Sequence, residues 1–219
     1  SSINDSIVSS DIFSTCINVS LFISAFEYNS SIPSAEVFMI RTMHYHPGNP
    51  IEWDFPLTDL QSRLSDKDGL VWVSLEVSSL EESNSILKDT FKFHPLTIED
   101  AQSEGYQTPK IDEFENYVFI VMMAPLPDDG SMDFGFEEYN LFLGENYIVT
   151  NSKNPKINIS EKVRNRLKRD ERVYQHGSDF LAHALIDQLV DDIRPAMEIL
   201  EQDIEEIEDT LILSTNTEI

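Results

Sequence analysis

The sequence reads as a layered domain of intermingled strands and helices, α/β or α+β, followed by a helical arm. Three observations predict this. Short runs rich in β-branched and aromatic residues, such as LVWVSLE at 70–76 and YVFIV at 117–121, alternate with segments of helical character. From Ser178 onward, Leu181, Leu185, Leu189, Ile193, Met197, Leu200, Ile204, Ile207 and Leu211 recur every three or four residues, the period of one continuous packed seam. A chain of 219 residues is also long enough to bury a proper core.

The elements follow in order. Residues 1–34 are rich in serine and asparagine with one apolar patch, and read as an added strand or a tag-derived stretch. Residues 37–45 alternate loosely, as an opening or edge strand does, and Pro47-Gly48-Asn49-Pro50 is a turn. Pro56 begins a short helix that places Leu57, Leu60 and Leu64 on one face. After the strand at 70–76, Ser79 opens a helix over 79–91 with Glu81 and Glu82 at its start. His94-Pro95 opens another, because proline's missing N–H costs nothing at the first helical position. That helix carries Glu99 and Asp100 and ends in a polar connector containing Gly105.

Pro109-Lys110-Ile111 then leads into a strand whose last residues, 117–121, are apolar enough for the interior of a sheet. Two more strands are expected at 134–143 and 147–151. Pro127-Asp128-Asp129-Gly130 turns the chain before them, and Gly144-Glu145-Asn146 joins them at hairpin length. Residues 156–172 hold seven basic residues against three acidic, with Val163 and Leu167 as an apolar stripe. They read as a solvated helix docking its positive face on the acidic remainder, in preference to a phosphate site. Pro195 should kink the final helix or interrupt its hydrogen-bond ladder.

Charge narrows the function. Forty acidic against fifteen basic residues give a formal net charge of −25, which repels nucleic-acid phosphates and anionic membrane and favours cations. Cys16 is the only cysteine, so neither a disulfide framework nor a cysteine zinc site is available. No stretch approaches the roughly 18 apolar residues that span a bilayer. The chain starts without Met and stops just after a strong helix, and reads as a piece of something longer. It carries no Gly-rich phosphate loop, no Gly-x-Ser-x-Gly elbow and no His-Glu-x-x-His helix, so an enzyme is not expected. His44 and His46 share one face of a strand without a third ligand in the sequence.

The carboxylates remain. Neighbours on a helix diverge by about 100°, so Glu99 and Asp100 cannot both chelate one ion directly. Each could contact a hydrated ion bridging to another element, and Mg2+ suits that because it dehydrates reluctantly and keeps several waters. The long helix exposes many carboxylates offset only by Arg194, a self-repulsion that cations or a basic partner face would relieve. Asp187, early in that helix, is placed to be partly buried and to need a partner.

As a literal string, the segment FHPLTIEDAQ, then PKIDEFENYVFIV, resembles the cytoplasmic domain of the CorA-type magnesium transporter family, in which HPL-x-x-ED, P-K and E-N-Y-x-F-I-V recur in this order. LVWVSLE resembles the family's D-G-L-V-W-V-D-L strand, with Ser74 where the family often has Asp, and ALIDQLVDD follows at the expected interval. The likeness runs from about residue 39 to 213. It implies a three-layer α/β/α domain with a mixed sheet over 35–177, and the start of a long acidic stalk helix at 178–219. It also implies a cytoplasmic, metal-sensing part of a homopentameric Mg2+ or Co2+ transporter, with divalent ions between subunits holding the closed state. Zinc-transporting relatives share the architecture, which leaves Zn2+ open; an acidic protein-interaction module is the alternative. Carried over by position, the metal ligands are Glu99, Asp100 and Asp187. The partner aspartate for Asp100 would lie beyond Ile219, as would the membrane helices and the Gly-Met-Asn pore signature.

Overall fold

The computed structural model describes residues 39–215 apart from 77, 104–106, 127–134 and 171. The readings for 1–34, Gly105 and the Pro127-Asp128-Asp129-Gly130 turn lie outside the described residues. Seven strands form one mixed sheet: β1 (Met39–Tyr45), β2 (Glu52–Trp53), β3 (Leu70–Glu76), β4 (Lys110–Glu113), β5 (Tyr117–Pro125), β6 (Phe136–Gly144) and β7 (Tyr147–Ser152). Their spatial order is β2-β1-β3-β7-β6-β5-β4. Only β3 and β7 run parallel; the other neighbours are antiparallel.

Alternation of side chains sorts the strands' residues between two cores. On one face, Val71, Val73 and Leu75 of β3 pack with Phe119, Phe142 and Val149 beneath three elements. These are α1 (Leu60–Leu64), α2 (Leu80–Asn84) with the π-helix Ser85–Thr90 that continues it, and α3 (Pro95–Gln102). On the other face, Leu70, Trp72, Tyr139, Leu141 and Ile148 pack under α4 (Ile159–Leu167), α5 (Arg172–Gln175) and α6 (Ser178–Thr215). The result is a three-layer α/β/α domain with a long C-terminal helix.

Local chemistry explains most boundaries. Ser79 caps α2 through a full capping box with Glu82, in which the Ser79 hydroxyl accepts from the Glu82 N–H while the Glu82 carboxylate accepts from the Ser79 N–H. The helix expected over 79–91 is therefore real but changes register, from α to π at Ser85. Lys92, at φ 57°, turns the chain out of it. His94 Nδ1 accepts from the Leu96 N–H, and Pro95 occupies the first turn of α3. Between β6 and β7 the turn is Glu145-Asn146, and Asn146 Nδ2 donates to the Asp66 and Leu64 carbonyls. Gly144 is required at that corner, since a Cβ there would lie 2.2 Å from the Tyr147 ring.

Several expectations need correction. The strand leading from Pro109 to Val121 is two strands, β4 and β5, paired antiparallel, so 117–121 is an interior strand with β4 as the edge. The helix expected after Pro56 begins as a 3-10 turn at Leu57–Asp59, and Leu57 is exposed rather than core-facing. The basic stretch holds the one helix expected of it, α4, which is shorter than 156–172; α5 begins only at its last residue, Arg172.

The seam of α6 divides as well. Leu181, Leu185 and Leu189 are buried, but Met197, Leu200, Ile204 and Ile207 are 44–60% exposed. The helix continues past Pro195, whose missing N–H removes one rung of the ladder without ending it. Leu185→Ala should therefore cost about 2–5 kcal/mol, the usual range for a buried leucine. Ile204→Ala should stay within about 0.5 kcal/mol. Urea unfolding of each variant checks both.

Candidate functional site

Glu99 and Asp100 lie on the last turn of α3, held to the sheet by buried Ile98 and Ala101. Glu99 is exposed. The Asp100 carboxylate is one quarter exposed and accepts from Lys110 Nζ at 2.6 Å. That ammonium also meets Asp112 Oδ2 at 2.9 Å and stands 5.9 Å above the Phe119 ring. Hydrogen bonds to Asp100, then to Asp112, push the Lys110 pKa above its ordinary value, so it is a fixed positive charge at any physiological pH.

Asp187 is on the first part of α6, and its partner is Arg166 of α4, whose guanidinium donates to Asp187 Oδ2 at 3.1 Å. Asp187 does have a partner, as expected of a carboxylate placed against the body. At 44% exposure its side chain is less buried than its position suggested. The same helix sends Lys162 to Asp192 at 2.7 Å and buried Arg164 to Asp54 at 2.9 Å. The basic stretch thus docks on acidic residues, as read from its composition.

The structure does not bring the three carboxylates together. Ile98 and Ala101 root α3 in the core on one face of the sheet, whereas Leu185 and Leu189 root α6 in the core on the other. Glu99 and Asp100 therefore sit on the opposite side of the sheet from Asp187. Among the described residues, no three of His, Cys, Asp and Glu are arranged to hold a metal ion. One chain offers two separate half-sites, and each engaged aspartate already has a tethered cation. Neither Lys110 nor Arg166 was singled out from the sequence as a site residue. The Pro-Lys step before β4 was the available signal for the first, and the basic character of 156–172 for the second.

The histidine pair has a third member. His44 Nε2 and His46 Nδ1 both bond to Asp66 Oδ2, at 3.2 and 2.8 Å, with Glu52 3.9 Å from the other nitrogen of His44 and paired to Arg63. Among the described residues, no helix is long and apolar enough to cross a membrane.

A family model described as "CorA-like Mg2+ transporter protein" matches residues 67–219. That is a class of ion transporters and not of enzymes. The chain belongs to the CorA-like Mg2+ transporter family. It is 28% identical over 181 residues to the cobalt/magnesium transport protein CorA of Thermotoga maritima, covering 81% of this chain and 50% of that protein. It is also 28% identical over 145 residues to the magnesium transporter ALR1 of Saccharomyces cerevisiae, covering 65% of this chain and 16% of ALR1. The chain thus spans half or less of the length of these relatives.

Among solved structures, the soluble domain of CorA from Methanocaldococcus jannaschii superposes with a TM-score of 0.57 at 18% identity, covering 81% of this chain and 66% of that one. The cytoplasmic domain of ZntB from Vibrio parahaemolyticus gives 0.55 at 11% identity, covering 75% and 63%. Both likenesses are of fold.

His44 supplies a pH test of the local packing. Burial, opposed by the hydrogen bond to Asp66, lowers its pKa below 6.5, with Arg63 lowering it further. The folded state favours the neutral ring, so its contribution is full above pH 6.5 and is lost as pH falls through the lowered folded value. The melting temperature should fall as pH is lowered from 7 toward 5, and His44→Gln should flatten that slope.

Proposed function

We propose that this chain is the regulatory, metal-sensing part of a CorA-like divalent cation transporter. In this reading residues 35–177 form the domain body on the cytoplasmic side of the membrane, 178–219 begin the stalk, and 1–34 have no counterpart in the family pattern. Mg2+ is the regulatory ion, bound weakly between neighbouring copies of a pentamer so that occupancy favours the closed state. Co2+ fits the same oxygen donors. The observation that carries the reading is the pairing of family membership with two carboxylate half-sites on opposite faces of one sheet. A face bearing Glu99 and Asp100 and a face bearing Asp187 cannot complete a site within one chain, but each can be completed by another.

The chemistry supports the ion. Mg2+ is usually held by one or two carboxylates with waters retained, and Asp100 and Asp187 are part-exposed carboxylates with water within reach. Packing several copies of charge −25 around an axis is repulsive. Ions between them offset that, and their loss favours separation, which makes a switch. The acidic surface without a site remains the second reading, favoured by the eight acidic and no basic residues after Arg194.

Mg2+ at millimolar concentration should raise the melting temperature of the chain more than Na+ at equal ionic strength. The gain should be small, about 0.4 kcal/mol when the ion equals its dissociation constant. Asp100→Asn combined with Asp187→Asn should abolish the Mg2+-specific part, while Glu205→Gln with Glu208→Gln should leave it whole. Equal loss from both pairs means diffuse screening of an acidic surface. A response to Zn2+ in place of Mg2+ assigns the site to the zinc-transporting branch.

A further inference from the structure

We infer that Lys110 is a tethered cation that competes with divalent ions for the Asp100 carboxylate, so that an ion binds there by exchange and Lys110 sets the affinity. The inference rests on the proposed sensing role of Asp100 and adds the group that regulates it. Lys110 Nζ, on β4, lies 2.6 Å from Asp100 Oδ2, on α3, the approach of a charge-assisted hydrogen bond. A divalent ion approaching that carboxylate competes with the ammonium, because the two positive charges repel one another at contact distance.

The displacement leaves Lys110 provided for. Asp112, two residues along the same edge strand and so on the same face, already accepts from the ammonium at 2.9 Å. The Phe119 ring lies beneath it, 5.9 Å from Nζ. Asp112 is thus the fallback partner that makes release of Asp100 inexpensive, and its position predicts an effect on ion affinity without any contact with the ion. Both side chains are about one third exposed or more, at 35% and 41%, so the exchange takes place at the surface, where the strength of an ion pair is modest. Arg166 stands to Asp187 as Lys110 does to Asp100, at 3.1 Å.

The test is a Mg2+ titration of the chain at constant ionic strength, followed by the NMR shift of the Asp100 amide. Lys110→Met should lower the midpoint about two- to fivefold, the span that an exposed ion pair's strength allows. The charge-matched change of exposed Lys67→Met should leave it in place. Asp112→Asn should raise the midpoint in the wild-type background and have no effect once Lys110 is Met. A midpoint unchanged or raised by Lys110→Met, or lowered equally by Lys67→Met, overturns the inference while the sensing role stands. Asp100→Asn in the same titration separates the two. If the Mg2+ response of the neighbouring amides survives that change, the sensing role itself falls, and the exchange with it.

Discussion

The constraint on which the structure depends is the two-sidedness of its sheet. Side chains alternate along each strand, so β3 commits Val71, Val73 and Leu75 to one core and Leu70 and Trp72 to the other. Each helix must then cover one face. Leu60, Ile86, Leu87, Phe93 and Ile98 cover the first, while Ile159, Val163, Leu167, Leu181 and Leu185 cover the second. Both faces carry buried apolar side chains and both helical layers are obligatory, because either face left bare would expose a row of large apolar side chains. Some polar side chains that reach into the sheet are matched, as where Trp72 Nε1 donates to Thr150 and the Tyr139 hydroxyl meets Ser160 at 3.0 Å. Asn140 Oδ1 and Glu138 Oε2 of β6, by contrast, are buried without a hydrogen-bond partner among the described residues.

That two-sidedness is what disposes the carboxylates. A helix rooted by Ile98 and Ala101 cannot present Asp100 to a helix rooted on the far face, whatever the side chains would prefer. The acidic residues of this chain are therefore not a single basin of charge. Where they meet the body they are paired with Lys110, Arg166, Lys162 and Arg164. Where they leave it, along the exposed second half of α6, no basic residue follows Arg194. These ion pairs between acidic residues and the chain's own cations thus lie where the acidic residues meet the domain body.

Much of this was legible in the sequence, and for identifiable reasons. The Ser79–Glu82 capping box, proline after His94, and the two-residue turn before Tyr147 are local signals whose physics is complete within a few residues. The exposure of Met197, Leu200, Ile204 and Ile207 was not legible, because periodicity reports that a face is apolar and not what covers it. The π-helical register at Ser85 and the splitting of 110–121 into a hairpin depend on packing against elements distant in sequence. At the site, the carboxylates were found by motif resemblance. Their counter-ions were missed because Lys110 and Arg166 belong to other elements, ten and twenty-one residues from the aspartates they hold.

On the proposed function, divalent ions recognise two discrete carboxylate half-sites and not the acidic surface as a whole. Mn2+, a hard ion that prefers the same oxygen donors as Mg2+, broadens the NMR signals of nuclei close to where it dwells. With substoichiometric Mn2+ at fixed ionic strength, line broadening should concentrate at the amides around Glu99, Asp100 and Asp187 and be competed away by Mg2+. Broadening spread along 198–208, where acidic residues are dense, with the half-sites no more affected than the rest, would contradict the account.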